Sequence, residues 1–201
     1  MKEKYYRINE IFYSLQGEGR WAGRAAIFIR FSGCNLKCPF CDTDFSAYTQ
    51  MSAREIIDTV KQYGCDFVVL TGGEPTLQVE NPFIDELHEA GFYVAMETNG
   101  TRDVPSNVDW VTCSPKDWYV DTAKTKLEKC NEIKLVVDDT VPSALLENWA
   151  DTMEAEEYYI QPCDTGDKEK NTFIINRCVE FVKNDPRWKL SLQQQKILNV
   201  R

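Results

Sequence analysis

At 201 residues, with 43% hydrophobic and 12% aromatic content, the chain is long enough for one well-buried core and short for two. A net charge of −9 argues against broad binding to a phosphate backbone, and no apolar run approaches the roughly 18 residues of a membrane span. The start, Met1 to Arg7, is charged and lacks a signal-peptide core, so we expect a cytoplasmic protein with no nucleic-acid or membrane partner.

Ile8 to Tyr13 predicts an edge strand or a hairpin arm, leading into the turn Leu15-Gln16-Gly17-Glu18-Gly19. Ala25 to Phe31 is a continuous apolar run of strand length, as in a strand covered on both faces. Arg30 interrupts it, and a guanidinium there needs an anionic or carbonyl partner because burying it unpaired is costly. A cysteine-rich loop follows at once.

Ser52-Ala53-Arg54-Glu55 is a capping box opening a helix to about Tyr63, with Gly64 as its stop. Asp66 to Leu70 predicts a strand entering Thr71-Gly72-Gly73-Glu74-Pro75, and Pro82 opens a second helix ending near Gly91. Phe92 to Met96 predicts a strand before Glu97-Thr98-Asn99-Gly100, and Val108 to Thr112 another before Ser114-Pro115-Lys116. Trp118 to Lys129 reads as a surface excursion. Beyond it the pattern predicts a strand over Ile133 to Val137, a helix over Ser143 to Thr152, and a strand over Glu157 to Ile160 ending in Gln161-Pro162. A helix from about Asn171 to Lys183 and a strand over Trp188 to Leu192 close the pattern, and the tail runs from Gln193 to Arg201.

Strands alternating with helices imply parallel βα units of one hand. The helices are too few for an eight-fold barrel, so the expected fold is α/β, an incomplete helix-poor β/α barrel of about six strands. With no linker or repeat, residues 1–201 read as one domain. In such folds the chemistry sits at the carboxyl ends of the strands. The glycine-rich and polar punctuation falls at those ends.

Cys34, Cys38 and Cys41 are separated by three and then two residues, so three thiolates can reach one centre from a single loop. No fourth ligand lies nearby. Structural zinc closes its tetrahedron with four ligands, whereas an iron–sulfur cluster can leave one iron open. The other cysteines (Cys65, Cys113, Cys130, Cys163, Cys178) have no metal-ligand spacing and read as buried free thiols. His88, the only histidine, falls in a helix and reads as a surface or packing residue.

The cysteine spacing after the first barrel strand, with Gly72-Gly73-Glu74-Pro75 after the second, resembles the radical S-adenosylmethionine (SAM) enzymes. The resemblance implies a [4Fe–4S] cluster on Cys34, Cys38 and Cys41, whose open iron is chelated by the amine and carboxylate of SAM. Reduction then breaks a carbon–sulfur bond to give a 5′-deoxyadenosyl radical. The Gly-Gly turn would let backbone approach the methionine amine, with Glu74 supplying negative charge near it.

Leu15-Gln16-Gly17-Glu18-Gly19, Arg30, Cys41-Asp42-Thr43, Ser114-Pro115-Lys116, Gln161-Pro162 and Leu190-Ser191-Leu192-Gln193 resemble the 7-carboxy-7-deazaguanine synthase family over essentially the whole chain. That implies a lyase converting 6-carboxy-5,6,7,8-tetrahydropterin to 7-carboxy-7-deazaguanine with loss of ammonia, on the route to 7-deazapurines such as queuosine. The radical would take a hydrogen from C6 of the pterin, and after ring contraction the product radical would recover it, so SAM acts catalytically.

The same resemblance implies a SAM shell of Phe40 (at the adenine), Cys41, Asp42, Gly73, Glu74, Ser114, Pro115, Lys116 and Gln161. Leu15, Gln16, Gly17, Glu18, Arg30 and Thr71 would surround the pterin, joined by Gln195 and Arg201. Thr43 would hold a Mg²⁺ ion together with a substrate carboxylate, since magnesium prefers oxygen ligands. Residues 1–24 would form a substrate-binding extension, and 185–201 a strand and tail completing the site. An electron donor such as a flavodoxin or ferredoxin, and a homodimer, are also implied.

The tail departs from the family pattern: Gln195 stands before Lys196 where a histidine is common. Glutamine donates and accepts like a neutral imidazole but cannot titrate. Two other readings share part of the pattern. A glycyl-radical activating protein has the same cysteines and Gly-Gly-Glu-Pro but acts on a protein backbone. A non-enzymatic iron–sulfur carrier has no use for a SAM-chelating glycine turn.

Overall fold

The structure, a computed structural model, describes residues 4–200. Tyr5–Leu15 (β1), Ala25–Phe31 (β2), Thr49–Ser52 (β3), Phe67–Gly72 (β4), Tyr93–Thr98 (β5), Trp110–Cys113 (β6), Lys129–Val137 (β7), Glu154–Pro162 (β8) and Trp188–Leu190 (β9) form one sheet. Its nine strands run in the order β3-β1-β2-β4-β5-β6-β7-β8-β9. From β2 to β9 every neighbouring pair is parallel, whereas β1 is antiparallel to both β2 and β3. The sheet is unclosed, with β3 and β9 at its edges, as an incomplete barrel requires.

The helices are Ala53–Val60 (α1), Asn81–Glu89 (α2), Ser143–Thr152 (α3), Lys168–Asn184 (α4) and the short Gln194–Leu198 (α5). The capping box at α1 is complete: the Ser52 amide donates to Glu55 Oε2 at 2.7 Å, and the Glu55 amide donates to Ser52 Oγ at 3.3 Å.

Period-2 alternation divides each strand between two faces. Ile27, Ile29 and Phe31 of β2, with Val68, Leu70, Val94 and Met96, face outward against Ile56 of α1 and Phe83, Ile84 and Leu87 of α2. Further along the sheet, Ile133, Leu135 and Val137 pack under Leu146 of α3 and Ile174, Cys178 and Phe181 of α4. Each such side chain, fully buried, contributes about 1.5–3 kcal/mol. The residues between them face inward. At one end they are apolar: Phe12, Phe28, Val69, Ala95 and Trp110 close the bottom of the barrel beneath Trp21. Towards the carboxyl ends they become Arg30, Thr71, Glu97, Lys134 and Gln161, all of which line one cavity.

Several expectations need correction. The first strand starts earlier than Ile8, at Tyr5, and is a hairpin arm on β2; β3 pairs with its outer side only over Tyr5 to Ile8. The sheet exceeds about six strands because β1 and β3 extend it antiparallel at one end and β9 at the other. The first helix stops at Val60, followed by a turn. Strands β7 and β8 begin earlier than their apolar runs, at Lys129 and Glu154. The tail contains the short helix α5, for which the sequence pattern predicts no element.

All eight cysteines are free thiols; Cys113, Cys130, Cys163 and Cys178 are buried and Cys65 is part-buried. His88 on α2 pairs with Asp109 at 2.8 Å and does not line the cavity. No helix among the described residues is long and apolar enough to cross a membrane.

Candidate active site

A cavity of about 720 Å³ opens at the carboxyl ends of the parallel strands, where the sheet's curvature gathers the loops after β2, β4, β5, β6 and β8. Cys34, Cys38 and Cys41 all line it, from the loop that leaves β2. Leu36 anchors that loop by burying its side chain, and its amide donates to Cys34 Sγ at 3.4 Å. Asn35 lashes the loop to the end of β5 by donating to Thr101 Oγ1 at 2.8 Å and accepting from Asn99 Nδ2 at 3.0 Å. Phe40 stacks edge-on against Tyr119 with ring centroids 4.6 Å apart. Burial raises the Cys34 and Cys38 thiols, against an opposing pull from the Leu36 amide on Cys34 and from the Lys116 ammonium on Cys38.

The turn after β4 is stitched to this loop. The Gly73 amide donates to Phe31 O at 2.9 Å, and the Glu74 amide to Gly33 O at 2.9 Å. A Cβ on Gly73 would lie 2.0 Å from Gly33 O, so the two backbones meet only because this residue has no side chain. Gly72 sits at φ +119°, where a side chain is strained as well as obstructed. Both glycines present bare backbone to the cavity.

Glu74 and Pro115 are set back from the cavity wall. The Glu74 carboxylate is fully buried, accepting from the Thr76 amide and hydroxyl, Thr98 Oγ1 and the Asn99 amide at 2.7–3.1 Å. It ties the β4 and β5 loops together, and its charge is felt by Cys34 and Lys116 on the cavity wall. The other residues expected around SAM (Phe40, Asp42, Gly73, Ser114, Lys116 and Gln161) do line the cavity. Lys116 is no solvated surface lysine: its ammonium donates to Ser114 O at 2.6 Å, and burial pulls its pKa down.

Of the residues expected around the substrate, Leu15, Gln16, Gly17, Glu18, Arg30, Thr71 and Gln195 line the same cavity, and Arg201 lies outside the described residues. Glu10, Arg30 and Thr71 stand side by side across three strands. Arg30 finds the anionic partner its position demands: Nε donates to Glu10 Oε1 at 2.8 Å, while Nη1 reaches Thr43 Oγ1 at 3.4 Å. Thr43 therefore places a hydroxyl on the cavity wall beside a guanidinium.

Two charged residues at the centre escaped the sequence reading. Lys134, on the inner face of β7, donates to Glu18 Oε2 at 2.6 Å and to Glu97 Oε1 at 3.4 Å. Glu97 in turn accepts from Gln16 Nε2 at 3.1 Å and Thr71 Oγ1 at 3.0 Å. The signal for Lys134 was the alternation of Glu132 and Lys134 with Ile133 and Leu135, a charged inner face behind an apolar outer one. Burial opposes the ionisation of Glu18, but the Lys134 ammonium, with amide donors from Gln193 and Gln195, overcomes it and holds the carboxyl down to about 2.

The tail closes the cavity from the side. The Gln194 amide donates to Gly17 O at 3.1 Å, and Gln193 and Gln195 Nε2 reach Glu18 Oε1 at 3.1 and 2.9 Å. Lys196 bridges Asp164, after β8, at 3.1 Å and Asp42, in the cysteine loop, at 3.4 Å.

Three free thiols on one cavity wall, next to bare glycine backbone, suit an iron–sulfur cluster with one exchangeable corner. Among the described residues no three His, Cys, Asp or Glu side chains converge on a single ion. Cys34, Cys38 and Cys41 would instead hold a cluster, which would supply the one-electron chemistry at this end of the cavity.

Residues 28–137 match the Radical SAM superfamily. The 7-carboxy-7-deazaguanine synthase of Bacteroides thetaiotaomicron is 47% identical over 97% of this chain and 98% of its own length. That of Haemophilus influenzae is 33% identical over 98% and 95%. The crystal structure of QueE from Escherichia coli superposes with a TM-score of 0.80 at 29% identity, covering 94% of each chain. With its fold, its three-cysteine loop, its Gly-Gly turn and these full-length likenesses, the chain belongs to the radical SAM superfamily and, within it, to the 7-carboxy-7-deazaguanine synthase family of enzymes.

Proposed function

We propose that this enzyme converts 6-carboxy-5,6,7,8-tetrahydropterin to 7-carboxy-7-deazaguanine with release of ammonia, using a [4Fe–4S] cluster, SAM and Mg²⁺. The observation that carries the reading is the single cavity that joins three thiols and a bare glycine turn to a cationic and an anionic side chain, Arg30 and Glu18. Cys34, Cys38 and Cys41 would hold the cluster, and Phe40, Asp42, Gly73, Ser114, Lys116 and Gln161 would enclose SAM. When bound and reduced, that pair would supply the 5′-deoxyadenosyl radical chemistry needed to take hydrogen from C6 of the pterin.

The chain's own residues bind and orient. Arg30 is suited to a substrate carboxylate, because its guanidinium presents several donors and only some are spent on Glu10 and Thr43. Glu18 is an ionised acceptor for the N–H edge of the pyrimidine ring. Gln16 and Thr71 buttress Glu97, a second acceptor. Phe12 and Phe28, stacked on each other and lining the cavity, offer an apolar surface to a flat ring. The tail keeps bulk water from a reactive intermediate. A protein backbone, as in a glycyl-radical activating protein, would leave this charged recognition set without use. An electron donor such as a flavodoxin or ferredoxin, and a homodimer, belong to the same proposal.

Thr43 would give Mg²⁺ one protein oxygen, the rest of the shell coming from substrate carboxylate and water. Thr43→Ala is expected to keep its cluster absorbance and its ability to cleave SAM. Its stimulation by Mg²⁺ should disappear, with turnover falling about 10-fold or more. A magnesium titration of both proteins checks this, and an unchanged response would remove the Thr43 assignment while leaving the cluster assignment standing.

A further inference from the structure

We propose that Lys134 is a positioning residue for substrate recognition, holding the Glu18 carboxylate ionised and aimed into the cavity and bracing it against Glu97. This rests on the carboxypterin reading above and adds to it the residue that makes Glu18 an acceptor.

Three observations carry it. Lys134 is 5% exposed, and its ammonium is spent on two carboxylates from separate parts of the chain, Glu18 before β2 and Glu97 on β5. Burying that charge is tolerable only because both partners are present. Second, neither carboxylate is closed off: Glu18, Glu97 and Lys134 all line the cavity, so a ligand's N–H groups can reach the carboxylate oxygens. Third, the remaining partners of Glu18 are the neutral amides of Gln193 and Gln195, which donate a hydrogen bond without supplying charge. Lys134 is thus the ammonium in contact with Glu18.

The other ionisable groups around Lys134 are Glu132, two residues earlier on β7, and Lys116, after β6. Glu132 is committed to the backbone amide of Arg20 at 3.0 Å and the indole of Trp110 at 3.4 Å, and burial raises its pKa. It cannot replace Lys134 as a source of positive charge. Lys116 is turned into Ser114.

If Lys134 is replaced by methionine, burial acts on Glu18 unopposed by an ammonium, and its pKa rises. A carboxyl that should only accept would then also carry a proton, and repel a substrate N–H. In the wild type Glu18, held near pH 2, is ionised throughout the working range, so substrate affinity contains no titration from it. In Lys134→Met, affinity should fall as pH falls, because the protonated fraction of Glu18 grows.

The test compares wild type, Lys134→Met, Glu18→Gln and Lys134→Met/Glu18→Gln as reconstituted enzymes. In Lys134→Met the KM for carboxytetrahydropterin is expected to rise about 10- to 100-fold and to worsen towards low pH, with kcat changed less than about threefold. Cluster content and SAM affinity should be unchanged. The double variant, which removes the unpaired buried carboxylate, keeps the proposal testable if the single variant folds poorly. There, Lys134→Met should add less than about threefold to the KM of Glu18→Gln alone. Carbon-13 spectra of the Glu18 carboxyl, assigned by its loss in Glu18→Gln, should show titration at higher pH in Lys134→Met than in wild type.

A wild-type KM and a flat pH profile in Lys134→Met, in an enzyme that turns over the pterin, overturn the positioning role and leave the substrate reading intact. Full additivity in the double variant does the same. A cluster-loaded wild type that neither binds nor converts the pterin overturns the substrate reading, and the recognition role of Lys134 with it, even if the Glu18 spectra shift as expected.

Discussion

Cys41→Ala is expected to yield a folded protein that holds no stable cluster and cleaves no SAM. Cys41 is exposed, and its thiol makes only a weak 3.8 Å contact with Thr43 O, so nothing in the core depends on it. The unfolding midpoint of the cluster-free protein should therefore stay within about 2 °C of the cluster-free wild type. Under the proposed assignment all three thiolates of the loop would hold the cluster, and the loop provides no fourth, so losing one would leave two protein ligands. After anaerobic reconstitution the variant should show no brown absorbance, and SAM cleavage should be at background. A variant that loaded a full cluster and cleaved SAM at the wild-type rate would show that Cys41 is not a ligand.

Gly73→Ala should be nearly as damaging, for a steric reason. The added methyl would meet Gly33 O at 2.0 Å and Gly33 C at 2.4 Å, both backbone atoms that cannot swing aside. Either the β4 turn or the cysteine loop must move, and the amide bonds Gly73 to Phe31 O and Glu74 to Gly33 O lie across that seam. The expected cost is about 3 kcal/mol or more in stability. Because the seam fixes the cluster loop against the turn suited to SAM, turnover should fall by about 100-fold or more even where the protein folds. Gly23, a positive-φ glycine with nothing within 4 Å of its added Cβ, is a useful contrast: Gly23→Asn carries the backbone strain without the clash. Thermal melts and SAM-cleavage rates of the two variants separate strain from collision.

The parts of this molecule that were legible in the sequence are those with a local signature. Ala25–Phe31 is apolar except at Arg30 because helices cover one face of β2 and the barrel floor the other, Arg30 reaching the cavity above that floor. The Ser52–Glu55 box fixes the start of α1 by two bonds inside four residues. The site loops were legible because a parallel barrel collects its loops at one end, and their motifs are contiguous. What stayed hidden depends on contacts between distant parts of the chain. The polar start of β7, with Lys129, Asn131 and Glu132, does not look like a buried strand, yet Glu132 is 2% exposed. Its neighbour Lys134 acquires meaning only from Glu18 and Glu97, in parts of the chain distant in sequence. Glu74 looked like a charge for a ligand and proved to be a knot of four hydrogen bonds between loops. The tail's short helix is held by Gly17 and Glu18 and has no apolar face that would have announced it.

Gln195 illustrates both limits. Its amide donates to Glu18, and its Oε1 is buried without a donor, crowded against Gly17, where a Cβ would stand 1.8 Å away. The glycine at position 17 thus makes room for this tail side chain. A neutral, non-titrating group at that point is compatible with an acceptor whose charge is governed from the opposite side by Lys134.

The central claim is that one cavity binds carboxytetrahydropterin beside a SAM-bearing cluster. Its most direct test is anaerobic reconstitution followed by incubation with 6-carboxy-5,6,7,8-tetrahydropterin, SAM, reductant and Mg²⁺. The expected result is 7-carboxy-7-deazaguanine and ammonia in equal amounts, many products formed per SAM consumed, and a rate that rises with Mg²⁺. A cluster-loaded enzyme that cleaves SAM yet leaves the carboxypterin intact under these conditions would contradict it.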